Sequence, residues 1–326
     1  MGVVAVAGGT GSMGRTIVEA LVATKKHKTV VLSRKVGNTF IIISPTSNPD
    51  LEKELGVPII AVDYDNIKAV AETLEQNNVD TVISAIMMMP GPAGDPKEIQ
   101  LIRAADLSKT TKRLISSDYG LPHSEGHDKQ LPSVIYKQQA QEELKTVKDL
   151  ETTRIINGQF MDYWGIPGVK SHFGPFPIAI DIANDTAAIP GDGNTPVIMT
   201  HTSDVGKYVA ASLDLEKWEP IHSIAGDKVS LNELLSYAEA AKGKKFTVTY
   251  DSIESLKQGH LTELPGQAAN YNQIPKEVLQ KLLVSFHLWY AEGVLNYELG
   301  TTLNDKFPEI KPLKAKEMID RAWKKQ

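Results

Sequence analysis

The chain has 326 residues, 41% of them hydrophobic and 23% charged, with 35 Lys and Arg against 40 Asp and Glu. At roughly 150 residues per domain this is about two domains or one large α/β unit, long enough to bury a core without covalent staples. The formal charge of −5 argues against the clustered basic face of a nucleic-acid binder, and the absence of cysteine excludes disulfides, thiolate nucleophiles and cysteine-ligated metals. No uncharged apolar run reaches the roughly 18 to 20 residues of a membrane span. The longest, from Thr81 to Gly94, is broken by Pro90, Gly91 and Pro92. The start lacks the basic lead of a signal peptide, so a soluble, cytoplasmic protein is expected.

In chain order, Val3 to Ala7 is a continuous apolar run, as expected of a strand buried on both faces of a parallel sheet. It enters Gly8-Gly9-Thr10-Gly11-Ser12-Met13-Gly14, after which Met13, Ile17, Val18, Leu21 and Val22 share one helical face. The glycines read as Gly9-x-Gly11-x-x-Gly14 and also as Gly8-x-x-Gly11-x-x-Gly14. Placed between a buried strand and an amphipathic helix, they predict dinucleotide binding. The backbone must turn tightly and approach a pyrophosphate without Cβ atoms in the way, and the helix N-terminus offers free N–H groups. The second strand, Thr29 to Leu32, ends Leu32-Ser33-Arg34-Lys35, and no Asp or Glu occurs between Glu19 and Asp50 to bond a ribose 2′-hydroxyl. Arg34 and Lys35 suit a 2′-phosphate, so the expected cofactor is NADP(H).

Phe40 to Ile43 reads equally as an extra strand or a buried loop. Ile59 to Val62 is a strand, followed by Asp63, which is either an adenine contact or a helix N-cap, and by a helix from Ile67 to Gln76. After the strand Thr81 to Ala85, the residues Ala85, Ile86 and Met87 should pass near the nicotinamide ribose. Met87, Met88 and Met89 either shape an irregular apolar pocket or fill core gaps. A helix from Lys97 to Leu107, a strand from Arg113 to Ser116, a helix from Tyr136 to Lys148 and a strand from Thr153 to Ile156 complete the alternation. The predicted fold class is α/β, a doubly wound parallel (Rossmann) sheet.

Beyond Asn157 the regularity breaks down. Gly158 to Pro177 is rich in Gly, Pro and aromatics, and Ile189 to Pro196 is turn-rich. Val205 to Leu213 reads as a helix returning to the sheet, with Asp204 near its start. Leu231 to Ala241 and Glu277 to Leu288 read as helices on either side of a loop-like stretch from Tyr250 to Ile274. The expected organisation is a dinucleotide-binding domain over 1–157, rejoined by a segment near 195–225, and a smaller, mixed substrate-capping region over 158–326. Tyr119, Phe160, Tyr163 and Trp164, on loops near the sheet's carboxyl edge, suggest a flat apolar or aromatic substrate. His123, His127 and Asp128 resemble metal ligands, but their loop has no framework to fix the geometry, and no metal is expected. There is no Gly-x-Ser-x-Gly elbow for a hydrolase.

The glycine pattern, Arg34, Ser116-Ser117-Asp118-Tyr119-Gly120, Asn157-Gly158, Gly191-Asp192-Gly193 and Asp204-Val205-Gly206 resemble the NmrA-like/isoflavone reductase-like family of atypical short-chain dehydrogenases. The similarity is closest to fungal members and spans about Met1 to Leu213. The resemblance implies an NADPH-dependent reductase of small aromatic, polyketide-like or terpenoid compounds. Other members are dinucleotide-sensing regulators that engage a protein partner. An isomerase or cyclase using the pocket without redox turnover is a third alternative. The better-known dehydrogenases pair Tyr-x-x-x-Lys; here the literal match, Tyr64 to Lys68, comes too early, and Ser133 stands four before Lys137. The family's reductases keep one lysine at the start of that helix, and Lys137 matches it. That implies a proton-transferring or cofactor-contacting role. They often carry arginine four residues later, where this chain has Gln141.

Overall fold

The computed structural model of the protein describes residues 2–36, 39–40, 51–91, 94–123, 126, 131 and 133–324. The first half alternates as expected: β1 (Val3–Ala7), α1 (Ser12–Thr24), β2 (Lys28–Val36), β3 (Thr39–Phe40), α2 (Leu51–Leu55), β4 (Ile59–Val62), α3 (Ile67–Gln76), β5 (Val79–Ser84), α4 (Glu98–Leu107), β6 (Arg113–Ser116), α5 (Ser133–Leu144) and β7 (Glu151–Ile156). There follow β8 (Gln159–Phe160), α6 (Asp162–Gly165), β9 (Ile180–Asp181), β10 (Thr186–Pro190), β11 (Pro196–Thr200), α7 (Thr202–Ser212), β12 (Ile221–Ser223), β13 (Asp227–Ser230) and α8 (Leu231–Lys242). The remainder is β14 (Thr247–Asp251), α9 (Ile253–Lys257), a 3-10 turn (Pro265–Asn270), α10 (Lys276–Ala291), α11 (Leu303–Lys306) and α12 (Ala315–Trp323).

Parallel strands run β12-β7-β6-β5-β1-β2-β4 across a central sheet, and β3 adds antiparallel to the end of β2. Strand order therefore reverses between β1 and β5. This is the switch point at which ligands of such sheets sit beyond the carboxyl ends. Because side chains alternate, Val4 and Val6 enter one core with Ile17, Leu21, Val205 and Val209 of α1 and α7. Ala5 and Ala7 enter the opposite one with Val70, Leu101 and Ile102 of α3 and α4. A third core joins Trp164, Ile189, Leu234, Leu283, Trp289 and Met318, around two three-stranded sheets, β14-β10-β9 and β13-β11-β8.

Three expectations change. β2 does not end at Leu32: Val31 to Arg34 pair with β4 and Lys35–Val36 with β3, so Arg34 and Lys35 stand within the strand. β3 resolves the ambiguity at Phe40 as strand, whereas Ile41 to Ile43 lie outside the described residues. The stretch Tyr250 to Ile274 is not a plain loop. It holds the end of β14, α9 and the 3-10 turn, whose short lengths left no period to read.

The Asp204-Val205-Gly206 triplet is a packing device. Asp204 is buried at the start of α7, paired with Lys207 at 2.7 Å and accepting the Leu313 N–H at 2.7 Å. A Cβ on Gly206 would lie 2.9 Å from the Thr16 carbonyl oxygen and 3.2 Å from Ala20 Cβ, so α1 and α7 pack backbone to backbone. Gly206→Val is expected to destabilise the protein by about 2–3 kcal/mol through overpacking, read as a lower urea midpoint.

Candidate functional site

The glycine-rich turn is built from contacts no side chain could share. Gly8 has φ of +74°, and a Cβ there would lie 2.7 Å from the Ala85 carbonyl oxygen. A Cβ on Gly14 would lie 2.1 Å from the Gly8 carbonyl oxygen, and one on Gly9 would strike Val31. Gly11 is the N-cap of α1 and places no side chain over the first amides of the helix. Its own N–H donates to Gly8 at 2.9 Å, and its carbonyl accepts from Arg15 at 2.8 Å. The result is a backbone cradle at a helix N-terminus, which fits a pyrophosphate. Thr10 and Ser12 flank it half-buried; the Met13 side chain turns into the core, leaving only its amide to the cradle. Ala85 and Ile86 stand against Gly8, with the Ala85 N–H donating to Ala7 at 2.8 Å.

Arg34 is half-buried opposite Val62, while the side chain of Lys35 lies outside the described residues. Asp63 is exposed and accepts the Asp65 N–H at 3.1 Å, closing a turn. The α3 N-cap is Asn66, which accepts from Ala69 at 3.1 Å, so the cap alternative for Asp63 falls.

Two buried carboxylates lie behind the sheet edge, and sequence reasoning named neither as a site residue. Glu98 opens α4 and accepts from Ser84 Oγ at 2.5 Å, Ser116 Oγ at 2.7 Å and the Ser117 N–H at 3.0 Å. Ser117 Oγ in turn donates to the Ile86 carbonyl at 2.8 Å. Glu98 thus ties the loop after β5 to the turn after β6. Burial raises its pKa, against the lowering effect of these donors.

Asp118, 2% exposed, is the second. Its Oδ2 accepts from Arg154 of β7 at 2.5 Å and from Gln141 Nε2 at 3.0 Å; its Oδ1 lies 3.5 Å from both Lys137 Nζ and His123 Nε2. Burial works to raise the Asp118 pKa, but His123, Lys137 and Arg154 outweigh it and hold the carboxyl below the ordinary range. Lys137 Nζ also donates to the Tyr119 carbonyl at 3.1 Å. Its pKa is lowered, chiefly by burial, with Asp118 opposing. The Gly120 carbonyl accepts the N–H groups of Asn157 and Gly158 at 2.8 and 2.7 Å, which brings the turn after β7 alongside.

The substrate-side candidates divide. Met87 and Met89 are exposed, but Met88 is buried in the core beneath the sheet, filling space among aliphatic neighbours. Trp164 is also a core residue, 1% exposed, so neither can line a pocket. Phe160 and Tyr163 are half-buried and meet at Phe173, with ring centroids 5.1 and 5.5 Å away. Tyr119 is half-buried beside Lys137. Tyr64 of the literal Tyr-x-x-x-Lys match is buried after β4, in the core beneath the sheet. His127 and Asp128 lie outside the described residues, and His123 turns to Asp118. Among the described residues no three metal-ligating side chains converge, and no helix is long and apolar enough to cross a membrane. Arg154 left a usable signal: a lone cation in the run Thr152 to Ile156 needs a buried partner.

The family model of the NmrA-like family matches residues 1–322. The chain is 34% identical to Oxidoreductase BOA1 of Botryotinia fuckeliana, covering 95% of each. It is 28% identical to an isoflavone reductase homolog of Solanum tuberosum, covering 96% of each. Among solved structures it resembles the leucoanthocyanidin reductase–NADPH binary complex from Vitis vinifera, with a TM-score of 0.73 at 19% identity over 98% of both chains. It also resembles AtPrR2 with NADP+ and (+)pinoresinol, with a TM-score of 0.71 at 23% identity over 97% of both. At such identities these structures speak for the fold.

Glu98→Ala would strand three buried donors and is expected to destabilise the protein by about 3 kcal/mol or more. Glu98→Gln should cost less. Because the folded pKa of Glu98 is raised, its contribution is full below about pH 4.5 and is lost as pH rises through the folded value. The stability gap between wild type and Glu98→Gln should therefore narrow as pH rises, as read by urea melts across the series.

Proposed function

Since the chain belongs to the NmrA-like family, we propose that it is an NADPH-dependent reductase acting on a small aromatic, polyketide-like or terpenoid compound. When bound, the dinucleotide supplies a hydride for an electron-poor carbon of that compound. The Gly8–Gly14 turn would hold the pyrophosphate, Arg34 and Lys35 the 2′-phosphate, and Asp63 the adenine side. Residues 1–157, with 195–225 returning to them, form the dinucleotide half in this proposal, and 158–326 mostly cap the substrate. A cytoplasmic setting and a hydrophobic small-molecule partner, with neither nucleic acid nor membrane, complete it.

The observation that carries the reading is a continuous line of contacts from cradle to lysine. Gly8 touches Ala85 and Ile86, Ile86 accepts from Ser117, and two residues on the Tyr119 carbonyl holds Lys137 Nζ. Burial makes Lys137 a readier proton donor than a solvated lysine, and Asp118 opposes that lowering. Among the described residues, Lys137 and Arg154 face one carboxylate, Asp118, so the excess positive charge favours an oxygen that becomes negative as the carbon is reduced. Lys137 would then pass its proton to that oxygen. Exposed Met87 and half-buried Tyr119, Phe160 and Tyr163 suit an apolar ring.

Lys137→Ala is expected to lower turnover by about 10²- to 10⁴-fold while leaving NADPH affinity nearly unchanged. Arg34→Ala should weaken NADPH about tenfold or more and leave NADH little affected, because it removes a charge-assisted contact to the 2′-phosphate. Fluorescence titration with all four dinucleotides and NADPH oxidation against a panel of small aromatic acceptors read both. Indifference to the 2′-phosphate, or a preference for oxidised forms, would sink the reductase and favour a dinucleotide-sensing regulator.

A further inference from the structure

We propose that Asp118, clamped by Arg154, is a positioning residue that sets the proton affinity of Lys137. The inference rests on the reading of Lys137 as the proton-relaying group and adds the residues that govern it. The two oxygens of Asp118 have different duties. Oδ2 is engaged by Arg154 at 2.5 Å and Gln141 at 3.0 Å, which fixes the carboxylate in place. Oδ1 remains for Lys137 and His123, each at 3.5 Å. Arg154 comes from β7, one strand in from the β12 edge of the sheet, and Gln141 from the same helix as Lys137, one turn on. The carboxylate is therefore held against the lysine from two elements at once.

Among the described residues, the groups facing Lys137 are few. Asp118 and the Tyr119 carbonyl meet its ammonium directly; Arg154 and His123 stand across Asp118; Glu98 of α4 lies within electrostatic reach of Asp118, whose charge raises the Glu98 pKa. Asp118 raises the proton affinity of Lys137, and Arg154, a like charge, lowers it. Gln141 adds a hydrogen bond with no charge, so the cation comes from β7 and not from the helix.

Two opposite shifts follow, which a merely structural pair would not produce. Asp118→Asn removes the anion and leaves Arg154, so the titration midpoint of Lys137 should fall by about one pH unit or more. Arg154→Gln removes the cation and leaves Asp118, so the midpoint should rise. In the double variant the two effects oppose, and the midpoint should return toward that of wild type. The midpoint is read by NMR after reductive methylation of the full chain with ¹³C-formaldehyde, the Lys137 signal being the one missing from Lys137→Arg.

The pH dependence of NADPH oxidation should move in step with each midpoint. If Asp118→Asn fails to fold, Asp118→Glu, which keeps the charge and should hold the wild-type midpoint, carries the test beside Arg154→Gln. An unchanged midpoint in Asp118→Asn or in Arg154→Gln, or shifts of one sign in both of these, would overturn the proposal. Full turnover in Lys137→Arg would instead defeat the proton-relay reading and leave the NMR result standing, so the two failures are distinguishable.

Discussion

Helix α1 begins with its backbone pressed against the turn that launches it, so closely that the Gly8 carbonyl oxygen occupies the place of any Gly14 side chain. Most of the molecule is arranged around this approach. It aims the helix N-terminus at the carboxyl end of β1, beside the gap where strand order reverses. It also sets how far the helix stands from the sheet, and the far side of α1 continues the pattern by admitting α7 only at Gly206. Between them the two glycine contacts fix a stack of sheet, α1 and α7 with little freedom to slide. A cradle made of backbone alone is therefore rigid although it contains no side chains.

Behind the cradle, two carboxylates are driven apart in proton affinity by their company. Glu98 is surrounded by hydroxyls and one amide, which cannot repay the burial of a full charge, and its pKa rises. Asp118 is as deeply buried but meets Arg154, Lys137 and His123, and its pKa falls. The first behaves as a clasp between two loops; the second is a fixed negative charge. Such a separation between neighbouring acids marks sites where protons are handled, because each group then keeps one state while the other is free to serve a different purpose.

The fold was legible wherever burial imposed a period. The runs at Val3–Ala7, Ile59–Val62 and Arg113–Ser116 match observed strands end to end, and the helix at Ile67–Gln76 does as well. The second half was less so, since two-residue strands such as β8 and β9 and the single turn of α6 are shorter than any period that could announce them. At the site, the glycines were readable because their constraint is local. The pairing of Asp118 with Arg154 was not, because it spans 36 residues and depends on two strands lying side by side. The inward turn of Met88 and Trp164 was not readable for a related reason: composition places an apolar side chain near an edge but cannot say which way it turns. Gln141, where the resemblance leads one to expect arginine, shares the Asp118 carboxylate with a cation from a strand, Arg154.

The last helix has a consequence for how the molecule is made. Trp323 Nε1 donates to the carbonyl of Trp164, 159 residues earlier, and the Leu313 N–H closes on Asp204. Strand β12, which completes the sheet beside β7, is synthesised only after the intervening smaller strands. On a ribosome, strands β1 to β6 can pair as soon as they emerge. The short turn bearing Tyr163 must wait for residues made long after it. The half that would grip a cofactor is thus assembled early and the half that would choose a substrate late. An interrupted chain would expose the apolar surface around Trp164, a ready target for chaperones and proteases.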